Sequence, residues 1–264
     1  MKPGVLVILA AAAIAAVFFI EPISQDPAYH AFADARRLLG VANFWNVFSN
    51  IAFVLTGVAG LTIIRTRQLE GIVTDLYPVY VVFFAGVTLS GFGSAWYHLS
   101  PANESLVWDR LPMTLTFMSF FTIIIGEQNS ASVAKRCFIP LLAIGAGSVL
   151  YWYFTETSAA WCGAEYAGTC GDLRPYALVQ FLPMLLIPLQ LLAYKSPFDR
   201  TGFIWVMILL YAAAKLFEHF DQNIFDATQI ISGHSIKHVV AAAAALIFLY
   251  GLVIRRPLRG GTEA

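Results

Sequence analysis

Long, uninterrupted runs of apolar residues recur along nearly the whole of this 264-residue chain. Most are close to the ~20 residues that an α-helix needs to cross about 30 Å of hydrocarbon. Their apolar side chains follow one another continuously, whereas a β-barrel strand would alternate apolar and polar residues. The pattern predicts eight membrane-spanning helices, at residues 5–20, 44–64, 77–98, 106–126, 137–154, 175–194, 202–219 and 234–254.

The composition agrees with a membrane protein. Hydrophobic residues make up 59% of the chain and charged residues only 12%, whereas roughly a quarter of the residues are charged in an ordinary soluble domain. So high an apolar content excludes a disordered chain. The formal net charge of zero argues against a nucleic-acid partner and against a basic membrane-surface protein. We therefore expect an all-α, polytopic membrane helix bundle.

The first apolar run has two interpretations. A lysine followed by a short apolar stretch also describes a secretory signal peptide, but no small-x-small pair stands just before Glu21, which favours a retained helix. We expect residues 1–21 to form an N-terminal transmembrane helix or signal anchor. Residues 22–256 would then form the main transmembrane domain, and 257–264 a short cytoplasmic tail.

The basic residues predict an orientation, because they favour the cytoplasmic side in short loops. The predicted loops on one side contain Lys2, Arg65, Arg67, Lys135, Arg136, Lys195, Arg200, Arg255, Arg256 and Arg259. The opposite loops contain only Arg36, Arg37 and Arg174. Both termini are therefore predicted to be cytoplasmic, in a bacterial inner membrane.

The cysteines fit this orientation. Cys162 and Cys170 share the predicted outer loop, where the compartment is oxidising, so a disulfide is expected; two unpaired thiols are the alternative. Cys137 begins the fifth span on the inner side and is expected to be a reduced, buried thiol.

Three of the five histidines fall at predicted span ends on the same outer side. His234 and His238 are four residues apart, so a helix projects both from one face, and His98 ends the third span. Ionisable side chains at membrane depth are costly and need a partner or a function. Three neutral imidazoles with one open position are typical of a catalytic zinc site, in which the pKa of bound water falls to about 7.

Two further polar residues stand near these histidines. Ser94 lies one helical turn before His98, where its hydroxyl can donate to a developing oxyanion. Residues 100–101, Ser-Pro, are predicted to begin the next helix as its N-cap and first position. That hairpin returns Asp109 toward the metal, where its carboxylate can accept a proton. The alternative is an interfacial ion pair of Asp109 with Arg110.

A second polar cluster ends the seventh span and consists of Lys215, Glu218, His219 and Asp221. Glu218 or Asp221 is a candidate for orienting a ligand imidazole, as metal sites normally require. His219 is expected to be an interfacial or hydrogen-bonded histidine and not a fourth ligand.

Three motifs together resemble the alkaline ceramidase family: GSAWYH at residues 93–98, WDRLPM at 108–113 and GHSIKH at 233–238. The runs NFWNVFSN at 43–50 and FDQNIF at 220–225 are similar to further family landmarks, so the resemblance extends from residue 43 to the end of the last span.

The resemblance implies a seven-helix, zinc-dependent amidase that hydrolyses ceramide to a sphingoid base and a fatty acid. It assigns the zinc ligands to His98, His234 and His238, the acidic residue beside the zinc water to Asp109, and the serine one turn before the first ligand to Ser94. The span at residues 5–20 is additional to that pattern.

One departure from the family pattern concerns calcium. Asn43 stands where the family's calcium-binding glutamate would be, and the preceding loop has only three acids, Glu21, Asp26 and Asp34. Calcium binding is therefore doubtful.

The leading hypothesis is a zinc-dependent hydrolase of ceramide or a related N-acyl lipid, with its active site toward the outer face and no protein partner implied. The alternative is a non-enzymatic seven-helix receptor or sensor with a structural zinc, because the wider superfamily is thought to include the progestin and adipoQ receptors. A haem protein with two axial histidines is a weaker hypothesis. Transport is disfavoured because the charged residues gather at one face.

Overall fold

The computed structural model describes residues 3–158 and 170–258. Within these ranges the chain folds into helices joined by mostly short connections, as the all-α prediction requires. The helices are α1 (Pro3–Phe18), α2 (Phe44–Phe48), α3 (Ile51–Thr66), α4 (Tyr77–Leu99), α5 (Asn103–Gln128), α6 (Ala131–Thr157), α7 (Arg174–Ala193), α8 (Gly202–His219), α9 (Asp221–Thr228) and α10 (Gly233–Ile254).

Each of the eight predicted spans falls on one of these helices, with α2 and α3 together covering the second. Among the described residues, six helical segments are long and apolar enough to cross a membrane. Two predicted spans are not among the six, namely the short apolar helix α1 and the polar-rich helix α5. At 26 residues, α5 would be about 39 Å long, and short connections join it to two spanning neighbours, so it must return across the bundle.

The connections collect at two ends of the bundle. At one, here called the histidine end, the backbone N of Leu173 donates to the carbonyl oxygen of Ile23 at 2.8 Å, and the loop before α2 contacts the start of α5. At the other, the basic end, the Arg255 guanidinium donates to the carbonyl oxygen of Gly71 at 2.6 Å. Successive long helices run alternately between these ends, as the predicted topology requires. Which end faces the cytoplasm stays a prediction.

The start of α5 differs from the prediction. The helix begins at Asn103, and Ser105 rather than Ser100 supplies the capping hydroxyl. Ser105 Oγ accepts from the backbone N of Ala102 at 3.1 Å and donates to the carbonyl oxygen of Ser100 at 2.6 Å. Ser100 and Pro101 therefore belong to the connection, because a later hydroxyl satisfies the free backbone groups at the helix start.

Aromatic side chains fill the centre of the bundle. Phe248 of α10 packs edge-on against Phe83 and Phe120, with ring centroids 5.0 and 5.3 Å away. Phe84 and Tyr80 are also fully buried in this cluster. The core therefore joins α4, α5 and α10, the helices that carry the predicted site.

A fully buried ion pair closes the basic end. Arg255 Nη1 donates to Glu127 Oε2 at 2.9 Å, and the Tyr80 hydroxyl donates to Glu127 Oε1 at 2.7 Å. The guanidinium also stacks on Phe198, 4.1 Å from the ring centroid. Arg255, which the sequence places in a loop, is thus an interior residue joining α5 to the end of α10.

The cysteine predictions have separate outcomes. Cys137 in α6 is a free thiol, as expected, but it is only partly buried. Cys162, the predicted disulfide partner of Cys170, lies outside the described residues.

Replacing Glu127 with leucine should destabilise the protein by about 3–5 kcal/mol, because the Arg255 charge would stay buried without a counterion. Thermal unfolding in neutral detergent measures the effect. The matched control is Asp75→Leu, which removes one partner of the exposed Lys135–Asp75 pair and should cost under about 1 kcal/mol. Equal losses in the two variants would contradict a structural role for the buried pair.

Candidate metal centre and adjoining cavity

Three buried imidazoles meet at the histidine end. His98 lies in the last turn of α4, while His234 and His238 occupy the first two turns of α10. Their exposed fractions are only 1%, 6% and 3%. One ring nitrogen from each lies within 4.8 Å of the others, and the Nε2 atoms of His98 and His238 are 3.3 Å apart.

The start of α10 is held by polar contacts to its backbone. Ser232 caps the helix by accepting from the backbone N of Ser235. Asp221 accepts from the backbone N of His234 at 2.7 Å and from that of Ala33 at 3.1 Å. Asp221 therefore fixes the helix start and the preceding loop, and it is not bonded to a ligand imidazole as the sequence suggested.

A glycine lets α10 approach its neighbours here. A Cβ on Gly233 would overlap the carbonyl oxygen of Phe217 at the end of α8 and approach the Cα of Asp221. The small residue before His234 therefore permits the contact that Asp221 makes.

The orientation of His238 follows from a hydroxyl in the turn between α2 and α3. Ser49 Oγ lies 2.8 Å from His238 Nδ1 and donates to the carbonyl oxygen of Asn46 at 3.2 Å. Because that hydroxyl proton is used, the serine accepts from Nδ1–H, and the Nε2 lone pair is left free. The Asn46 side chain in turn accepts from the Ser235 hydroxyl at 2.7 Å.

The loop between α1 and α2 covers the imidazoles. The Phe32 ring packs edge-on against His98 and His234, with centroid distances of 4.6 and 4.7 Å. Next to it, His30 bonds through Nδ1 to the Tyr97 hydroxyl at 2.9 Å and through Nε2 to Asn103 at 3.1 Å. Asn43 Nδ2 donates to the carbonyl oxygen of His98 at 2.8 Å. Sequence reasoning missed this cover, because no local pattern links the loop to α4 and α10.

The free nitrogens fit a bound metal ion. His234 Nε2 is buried and has no hydrogen-bond partner among the described residues, which is costly for a polar atom. The 3.3 Å separation of the two facing Nε2 atoms matches the roughly 3.3 Å between two ligand nitrogens on a tetrahedral ion with metal–nitrogen bonds of about 2.0–2.1 Å. These residues can hold a metal, and three imidazoles suit zinc.

Ser94 and Asp109 face each other beside the histidines. Ser94 is buried on α4, and its side chain contacts the Asp109 carboxylate of α5. Close helix packing makes this contact possible, since a Cβ on Gly93 would overlap the carbonyl oxygen of Trp108. The alternative of an Asp109–Arg110 ion pair is not observed among the described salt bridges.

A cavity of about 330 Å³ opens directly from this group. Ser94, Asp109 and His238 line its polar end. It extends along α4 as far as Phe83, eleven residues and therefore about 16 Å from Ser94. Apolar side chains form most of its remaining wall, among them Phe83, Phe120, Met184 and Met207.

Tyr29 adds a neutral hydroxyl to the polar end. Desolvation of that hydroxyl by surrounding protein atoms raises the pKa of Tyr29 to about 12, although the nearby Arg110 acts in the opposite direction. The phenol therefore remains protonated near neutral pH and can donate a hydrogen bond into the cavity.

The members of the second polar cluster lie in different environments in the structure. Lys215 and Glu218 line the cavity, whereas His219 is exposed and does not belong to the histidine group. Glu218 bonds to Lys215 and Lys237 and contacts no ligand imidazole through a described hydrogen bond. Neither carboxylate of this cluster therefore orients a ligand ring.

The fold and the site together define a multi-pass membrane protein whose buried histidine triad can hold a metal at the polar end of an apolar cavity. Comparison with known proteins agrees with this class. Residues 38–168, about half of the chain, match the family model described as Ceramidase. The matched part contains Ser94, His98 and Asp109 but ends before α10.

A related protein of Dictyostelium discoideum carries the name "Putative alkaline ceramidase dcd3A". It is 24% identical over 127 residues, an alignment that covers 40% of this chain and 44% of the relative. The chain thus matches less than half of that protein's length. The resemblance of this chain to the alkaline ceramidase family is confirmed by the family match.

Alanine at any one of His98, His234 or His238 should abolish metal binding, because two imidazoles do not complete the three-nitrogen set. Elemental analysis of protein purified in neutral detergent and dialysed against zinc measures this loss. His219→Ala is the matched control and should retain the metal. Full metal content in the three variants would rule out the proposed ligand set.

Ser49→Ala should weaken metal binding by about 10- to 100-fold, since His238 would lose the group that fixes its tautomer and ring orientation. Competition with a chelator measures the affinity. Ser49→Thr preserves the hydroxyl and should bind metal nearly as well as the unmodified protein. Equal affinity in the alanine and threonine variants would show that the hydroxyl does not orient the ring.

Proposed function

We propose that this protein is a zinc-dependent membrane hydrolase that cleaves the amide bond of ceramide or a related N-acyl lipid. The active site would open at the histidine end, toward the outer face of the membrane. The family match and the ceramidase-named relative support the reaction class. The donor set of three buried imidazoles supports zinc.

One observation carries the proposal: Ser94, Asp109 and His238 line the same cavity, and that cavity is otherwise largely apolar. A lipid chain can lie along the apolar wall while its amide reaches the polar end. Pockets of this kind, mostly apolar with a few convergent polar groups, are typical of small-molecule sites.

The residues of the chain have distinct roles in the reaction. When bound, zinc would polarise the amide carbonyl and make a water molecule more acidic. Asp109 accepts the proton of the attacking water and passes it to the leaving nitrogen. Ser94 donates a hydrogen bond to the oxygen that gains charge. One water is consumed, its hydroxyl going to the acyl carbon and its proton to the amine.

The sensor alternative makes a different demand on the site. A purely structural metal needs neither a carboxylate nor a hydroxyl directed into a cavity, yet Asp109 and Ser94 contact each other and both line it. This arrangement favours the hydrolase.

Asp109→Asn should lower kcat on ceramide by about 10²- to 10⁴-fold, because the amide cannot accept the proton. Ser94→Ala should lower it by about 10²- to 10³-fold. Fatty acid released from ceramide in neutral detergent micelles is measured by mass spectrometry, together with the zinc content, which should be unchanged.

Ser90→Ala is the matched control, since Ser90 also lines the cavity one turn away from Ser94 and has no assigned role in proton transfer. Its activity should be close to that of the unmodified protein. Unchanged turnover in Asp109→Asn would refute the hydrolase mechanism and favour the sensor.

A further inference from the structure

The polar end of the cavity contains more positive charge than amide hydrolysis requires. Five charged side chains line it: Asp109, Arg110, Lys215, Glu218 and Lys237. Three are cations and two are carboxylates, and Asp109 already has a role in proton transfer. The remaining four groups are not used by the proposed reaction.

Two of the cations share a single carboxylate. Lys215 Nζ lies 2.8 Å from Glu218 Oε2, and Lys237 Nζ lies 2.7 Å from Glu218 Oε1. The Glu218 and Lys237 side chains are each only 18% exposed, and that of Lys215 is 36% exposed. Charges withdrawn from water need full compensation, and one carboxylate compensates only one of the two ammonium groups.

Arg110 has no carboxylate partner within salt-bridge distance in the described parts of the chain. Arg110 is 5% exposed, and its guanidinium carbon lies 4.2 Å from the centroid of the Trp152 ring and 4.8 Å from that of the Tyr176 ring. Nη2 donates to the neutral amide oxygen of Gln25 at 2.6 Å, while Nη1 is buried and finds no partner among the described residues. The guanidinium of a cavity-lining residue therefore keeps one donor nitrogen that no described acceptor satisfies.

The buried carboxylate of Glu156 does not remove this excess from the cavity. Glu156 Oε2 accepts from the Trp152 indole at 3.2 Å and from the backbone N of Gln25 at 2.8 Å. Glu156 is not among the described residues that line the cavity, and no described salt bridge joins it to Arg110.

We infer that the lipid amide taken by this site carries an anionic head group, a carboxylate or a phosphate, bound by Arg110 together with Lys215 and Lys237. Charge-assisted hydrogen bonds from guanidinium and ammonium groups are the usual means of holding such anions. The acyl chain then lies along the apolar wall, and the amide lies beside Asp109. A neutral head group such as that of ceramide would leave Arg110 and one of the two lysines without a counterion. The inference rests on the proposed hydrolase.

Three probes with the same acyl chain test the inference: N-dodecanoylglycine, N-dodecanoylethanolamine and the phosphate ester of the latter. Binding to Asp109→Asn, whose turnover should be about 10²- to 10⁴-fold slower, is measured in neutral detergent, and kcat/KM is measured with unmodified zinc-loaded protein. We expect at least one anionic probe to bind about 10- to 100-fold more tightly than the neutral probe, with a similar preference in kcat/KM. The two anionic probes distinguish a carboxylate head group from a phosphate.

The preference should disappear in Arg110→Met and return in Arg110→Lys, each combined with Asp109→Asn for binding. Lys215→Met is the second variant, in case Arg110→Met does not fold, and it should reduce the preference. Lys135→Met is the control, because that lysine pairs with Asp75 at the basic end and its loss should change nothing.

The possible results separate the two proposals. Equal or tighter binding of the neutral probe overturns the anionic head group, whether or not the protein hydrolyses any probe. Arg110-dependent binding of an anionic probe without hydrolysis of any amide upholds the anion site and refutes the hydrolase.

Discussion

The burial of three imidazoles in one small volume is the constraint on which the histidine end of this protein depends. The facing Nε2 atoms of His98 and His238, 3.3 Å apart and away from water, can share either a proton or a cation, whereas the buried Nε2 of His234 has no hydrogen-bond partner among the described residues. The surrounding chain is arranged to keep them in place. Asp221 holds the start of α10, Ser49 fixes the ring of His238, and the Phe32 ring packs over those of His98 and His234.

Buried charges are compensated differently at the two ends of the bundle. At the basic end, Glu127 and Arg255 pair directly, and Tyr80 completes the hydrogen bonds of the carboxylate. At the histidine end, Glu218 pairs with two lysines, and one Arg110 nitrogen has no partner among the described residues. A saturated pair locks helices together, whereas an unsaturated group beside a cavity is available to a ligand. This contrast supports the proposed ligand site at the histidine end.

Helix α5 shows how a polar helix is accommodated in the bundle. It carries Asp109 and Arg110 near its start and Glu127 near its end, and it is not among the segments that qualify as spans by composition. Apart from the exposed Glu104 in its first turn, its charged side chains lie in the interior or line the cavity, which is where intramembrane charges are tolerated. The same helix therefore carries the proposed proton acceptor, Asp109, at one end and one partner of a structural ion pair, Glu127, at the other.

The length of the apolar runs predicted the membrane-spanning helices, and the four-residue spacing of His234 and His238 predicted that both side chains lie on one helix face. Both are properties of a local segment of the chain. The convergence of the two histidines with His98, Ser94 and Asp109 followed from the alternation of the spans and from the family motifs. The tertiary structure alone decided the partners of the remaining groups. Ser49 and His238 are 189 residues apart in sequence. The sequence places Arg255 in a loop, and only the fold shows that it pairs with Glu127. Such pairings depend on how helices approach in space, and no local pattern in the sequence records that.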